Sequence, residues 1–116
     1  MTRADAHAGD VPPRSEAPDA AIAVVVVLEL VARDPNAFEQ HLLRVIPVTR
    51  LASGNRFSWS VRDSANPTNF VLYQGWDSLA QQQAYMSWRE GRGDLAEFSS
   101  FLAEPPRVTV RTVFDR

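Results

Sequence analysis

The chain has 116 residues, 45% apolar and 22% charged, which is enough for one domain around a modest core and too little for a multidomain enzyme. Its 14 acidic and 12 basic side chains leave a net charge of −2, so the basic excess that phosphate neutralisation needs is absent and electrostatic binding of nucleic acid is excluded. With no cysteine there are no disulfides, thiolate zinc sites or cysteine nucleophiles, and with only His7 and His41 as imidazoles no metal site is expected.

Residues 1–20 mix Ala, Pro, Asp and Arg with a single Val, too little apolar surface to offset the entropy of ordering, and read as a disordered tail ahead of a domain over 21–116. The tail carries the whole charge imbalance, leaving ten acids against ten arginines in the body. The apolar run 20–28 has the length of a signal-peptide core. However, Asp19 stands where a basic flank belongs, Glu29 follows directly, and nine residues cannot cross a bilayer. A cytoplasmic protein without membrane contact is expected. Four consecutive valines, stiff at χ1, instead predict a buried strand over 22–32.

Asp34-Pro35 is a helix start, with Asp as N-cap and Pro at the first helical position. Phe38, Leu42, Val45, Ile46 and Thr49 then recur at helical spacing; Pro47 is expected to kink this helix, which runs on to Ser53-Gly54-Asn55. Residues 56–62 alternate with period two and read as a half-buried strand, 63–69 as a turn, and 70–76 as an almost wholly apolar strand. Ser78 with Gln81 is a capping box opening a second helix through Tyr85 and Trp88 to about Glu90. Gly91-Arg92-Gly93 breaks it. Asp94 with Glu97 has the same capping-box spacing before a short amphipathic helix, and 107–114 is the last strand.

The order β-α-β-β-α-β, its second helix in two pieces, predicts an α+β fold of ferredoxin-like topology: a four-stranded antiparallel sheet with helices on one face. The other face should then be polar if the domain works alone. It is not, because the first strand is apolar on both sides, broken only by Glu29, and the third sets Val71 and Tyr73 against Phe70, Leu72 and Trp76. A second copy of the same sheet is the simplest cover, so a homodimer with sheets packed face to face is expected.

Residues 24–114 resemble the antibiotic biosynthesis monooxygenase family of dimeric α/β-barrel proteins. The resemblance lies in the first strand, the helix ending at Ser53-Gly54-Asn55, the strand 57–61, and above all Phe70-Val-Leu-Tyr-Gln-Gly-Trp-Asp-Ser78. It implies a small cofactor-independent monooxygenase acting with dioxygen on an aromatic quinol, anthrone or polyketide-type substrate. Many members carry a Glu two residues before this Trp and a His on the following helix, where this chain has Gln74 and Tyr85. A haem reading therefore lacks its axial ligand.

Tyr85 and His41 are the candidate catalytic residues, the phenol as hydrogen-bond donor to a carbonyl or oxyanion and the imidazole as general base. Trp76, Trp88, Trp59 and Arg89 are the candidate substrate-binding residues: flat aromatics for stacking and, with Arg92, a guanidinium to close over a phenolate. Each has a purely structural alternative, as core aromatic, idle helix-flank His or solvated helix-end Arg. Tyr73 is expected on the dimer face. A polyketide cyclase or isomerase in the same barrel and a non-catalytic ligand-binding dimer are the alternative functions.

Overall fold

The computed structural model describes residues 22–115; the expected tail over 1–20 lies outside them. The elements run β1 (Val24–Val31), α1 (Pro35–Thr49), β2 (Asn55–Arg62), β3 (Asn69–Trp76), α2 (Leu79–Gly91), α3 (Asp94–Ser100) and β4 (Arg107–Thr112). The strands form one antiparallel sheet in the order β2-β3-β1-β4, the ferredoxin-like arrangement.

Register and alternation sort the side chains. Val26 lies opposite Gln74 and Val110, and Gln74 opposite Ser58, so these residues share the face beneath the helices. On that face Leu30, Phe70 and Leu72 join Phe38, Leu42 and Ile46 of α1 and Leu102 in the core, with Phe38 meeting Phe70 edge-on at 5.0 Å between centroids. Val25, Val27, Val71, Tyr73, Phe57, Trp59 and Val61 alternate onto the opposite face. Tyr73, Trp59 and Val61 are exposed there.

Local chemistry accounts for most element ends. Asp34 Oδ1 accepts from the Ala37 N–H at 3.1 Å, and Pro35 occupies the first helical position, where no N–H is needed. Ser78 Oγ accepts from the Gln81 N–H at 3.2 Å, the N-cap half of the predicted capping box, while Gln81 Oε1 accepts from the Ser78 hydroxyl at 3.0 Å. Two expectations need correction. α1 stops at Thr49, soon after Pro47, and the chain leaves through tight turns in which the Leu51 and Ala52 N–H groups bond back to Val48 and Thr49. The last turn tightens to these three-residue bonds and the chain turns away at Gly54, φ 87°, so the helix passes through Pro47 but does not extend to residue 53. Asp94 and Glu97 form no capping box either. α3 begins after Gly93 at φ 81° with no side-chain cap, and the Asp94 carboxylate turns back to Arg89 and Arg92.

Candidate functional site

A cleft of about 380 Å³ lies between the helices and the sheet, floored by Leu28, Leu72 and Gln74 and opening beside Val108 of β4. That volume is at the small end of the range for small-molecule sites. Its opening follows from incomplete cover, since Val108 and Val110 sit on the helix face yet remain half exposed.

The polar wall is a connected chain of hydrogen bonds between α1, α2 and α3. The Tyr85 hydroxyl lies 2.6 Å from Thr49 Oγ1 and accepts from Arg89 Nε at 2.7 Å. Arg89 also donates Nη1 to Asp94 at 2.9 Å and Nη2 to the Val45 carbonyl at 2.9 Å, so all three of its nitrogens are engaged. The guanidinium stacks on Tyr85 and Trp88, 5.3 and 5.4 Å from their ring centroids, in a residue only 7% exposed. Burial opposes its charge, but the bonds to Asp94 and Tyr85 outweigh burial and raise the pKa above the usual arginine value. Asp94 is correspondingly held below the usual carboxylate range, first by Arg89 and then by Arg92.

His41 is 2% exposed, stacked on Phe101 at 4.4 Å and flanked by Phe38 and Phe98. Burial lowers its pKa. Glu97 opposes that fall, Arg44 and Arg89 add to it and Asp94 opposes it, leaving the ring neutral at pH 7. Arg44 Nη2 lies 3.5 Å from Nδ1, at the outer limit of a hydrogen bond. Across the cleft Gln74 Oε1 accepts from the Trp76 indole at 3.3 Å.

Tyr85, His41 and Arg89 thus meet at one cleft. The three tryptophans do not. Trp76 is wholly buried behind Tyr85, with ring centroids 5.3 Å apart, and backs the phenol without lining the cleft. Trp88 lines a separate apolar groove of about 460 Å³ with Val48, Leu51 and Ala84, which meets the cleft at Tyr85 and Val48. Trp59 is 61% exposed on the opposite sheet face, its ring tilted against Phe57 with centroids 4.7 Å apart, because its position in β2 has the wrong parity for the helix side. Arg92 bonds Asp94 at 3.0 Å and lies over Trp88 at 4.6 Å. Two residues escaped the sequence reading: Thr49, counted there as part of an apolar stripe, and Asp94, assigned there to a cap. For Thr49 the available signal was a hydroxyl on the core side of an amphipathic helix. Among the described residues no group of three or more His, Asp or Glu side chains is placed to hold a metal ion, and no helix is long and apolar enough to cross a membrane.

No family model and no curated protein matches the chain. Solved structures do. A Deinococcus radiodurans protein assigned as an antibiotic biosynthesis monooxygenase superposes with a TM-score of 0.72 at 16% identity, over 80% of this chain and 94% of its own. This chain has the antibiotic biosynthesis monooxygenase fold. Rv0793 from Mycobacterium tuberculosis matches at 0.70 and 22% identity, over 80% and 96% of the two chains. SnoaB, a cofactor-independent oxygenase from Streptomyces nogalater, matches at 0.71 and 12% identity, over 80% and 94%. At such identities the likeness is one of fold, and the chemistry rests on the cleft itself.

Proposed function

We propose that this protein is a cofactor-independent monooxygenase of an electron-rich aromatic, such as a quinol, an anthrone or a polyketide-derived phenol, working as a homodimer. The observation that carries the reading is the Tyr85 phenol held by the buried Arg89 cation on the wall of an apolar cleft. A positive charge and fixed donors in a water-poor site favour the anion of such a substrate, and that anion is itself the reductant of dioxygen. His41, kept neutral by burial, is the group able to take the proton. With anthrone the balance closes without a cofactor: the methylene carbon loses two hydrogens, gains one oxygen atom as a carbonyl, and the second oxygen leaves as water. The SnoaB fold supports the same reading. The exposed Trp59, Val61 and Tyr73 on the outer sheet face support the dimer.

An oxygen electrode tests this directly. Metal-free, flavin-free protein should consume dioxygen with anthrone or a naphthoquinol, and Tyr85→Phe should lower turnover by roughly ten- to a thousand-fold, the range for losing one fixed donor to a developing anion. Wild type that binds these compounds without oxygen uptake would leave the cyclase or non-catalytic binding reading in its place.

A further inference from the structure

We propose that Thr49 and Arg89 both donate to the Tyr85 phenol oxygen and thereby aim its hydroxyl proton into the cleft, ready for an acceptor oxygen of the substrate. The assignment follows from counting protons and lone pairs. Arg89 has only donors, so at 2.7 Å from Nε the phenol oxygen must accept. Between Tyr85 and Thr49, 2.6 Å apart, there is room for one proton, which either oxygen can supply. If Tyr85 supplied it, the Thr49 hydroxyl would need another acceptor. A threonine in a helix ordinarily finds one in the carbonyl four residues back. Here that carbonyl is Val45, whose two lone pairs already serve the helical Thr49 N–H and Arg89 Nη2 at 2.9 Å. Among the described residues Thr49 Oγ1 has no hydrogen-bond partner but Tyr85, and Thr49 is 2% exposed, so its proton would be buried without an acceptor. If Thr49 supplies the proton, Thr49, Arg89 and the Val45 carbonyl are all satisfied, and the proton left over is that of Tyr85, which has the cleft to point into. Both phenol lone pairs are then filled, and the one free proton belongs to a half-buried ring that lines the cleft.

Two consequences follow. Thr49 is a positioning residue, acting on substrate through Tyr85. The cleft also selects for oxygens that accept at this point, a carbonyl, enolate or phenolate, over hydroxyls that must donate. The identity of the substrate oxygen rests on the oxygenase reading; the proton arrangement does not.

Neutron diffraction from deuterium-exchanged crystals of the full chain separates the arrangements. The expected map has the Thr49 deuteron directed at the Tyr85 oxygen and the Tyr85 deuteron turned into the cleft. A Tyr85 deuteron on Thr49 Oγ1 overturns the proposal. Binding of 4-nitrophenolate adds a test of opposite signs, because its absorption band moves to shorter wavelength when its oxygen accepts a hydrogen bond. Wild type should show that shift and Tyr85→Phe should lose it. Thr49→Val, nearly isosteric, should bind about two- to tenfold more weakly, since the phenol loses one of two donors that polarise its O–H, with Thr49→Ser restoring the wild-type value. If Thr49 instead held the phenol proton, the valine variant would free it and bind more tightly; tighter or unchanged binding overturns the proposal. Should wild type bind no nitrophenolate while the neutron map shows the expected protons, the proton arrangement stands and the phenolic-substrate reading is what fails.

Discussion

His41 takes its proton differently in the folded and unfolded chain, and that difference is measurable. Unfolded, it titrates near 6.5; folded, burial among three phenylalanines lowers that value. Above about pH 7 both states are neutral and His41 makes no contribution. As pH falls through 6.5 the unfolded chain takes the proton first, so stability drops until the folded pKa is passed and is flat below it. Thermal melts between pH 7.5 and 5.5 should show this fall in Tm, and His41→Gln should flatten it. Asp94 acts with the same sign in a more acidic window: its lowered pKa stabilises the fold above the usual carboxylate value of 3.8, and that contribution is lost as pH falls from there through the folded value. At Trp76, wholly buried behind Tyr85, Trp76→Ala should cost about 3–5 kcal/mol in urea unfolding, a cavity effect, whereas Tyr85→Phe should leave the fold intact.

Among the elements, β2 and β3 meet through one glycine that the sequence does not flag. Gly75 lies opposite Phe57, whose ring covers it so closely that a Cβ there would overlap the ring. Gly75→Ala should therefore push Phe57 off the sheet, disturb its ring contact with Trp59 and cost about 1–3 kcal/mol, the usual range for overpacking. Urea unfolding together with tryptophan emission would show both effects. α3 depends on a comparable tie. With no side-chain cap of its own, it is joined to α2 by Asp94 bonding Arg89 and Arg92. Element identity and order were legible because period-two and helical patterns are local, and so was the Ser78 cap. The early stop of α1 and the turned carboxylate of Asp94 were not: the first is set by how the last turn tightens, and in the second Arg89 and Arg92, close in sequence, compete with the helix N-terminus for the carboxylate.

For the whole molecule, the outer sheet face sets the expected assembly. Val61 is exposed on that face, so Val61→Glu should dissociate a face-to-face dimer while leaving each chain folded. Val27→Asp is a poorer choice, because Val27 is already buried within one chain. Sedimentation should find wild type at twice 12.9 kDa and Val61→Glu at one chain's mass with a cooperative melt. A wild-type monomer would refute the dimer.

The sequence by itself determined the element order, the antiparallel sheet and the two-sided apolarity of β1, because side-chain alternation and hydropathy are properties of neighbouring residues. It also placed Tyr85, His41 and Arg89 on helical segments with apolar faces. Only the tertiary structure decided which of the marked residues meet. Strand parity sent Trp59 to the far face, packing depth sealed Trp76 behind Tyr85, and the crossing of α1, α2 and α3 joined Thr49, Tyr85, Arg89 and Asp94 into one chain of hydrogen bonds. Those four residues span 49 to 94 in sequence. Tyr85 and Arg89 are neighbours four apart on α2, but Thr49 and the Val45 carbonyl join them only through the need to satisfy a buried guanidinium and two hydroxyls at once, and that need exists only once the helices are packed.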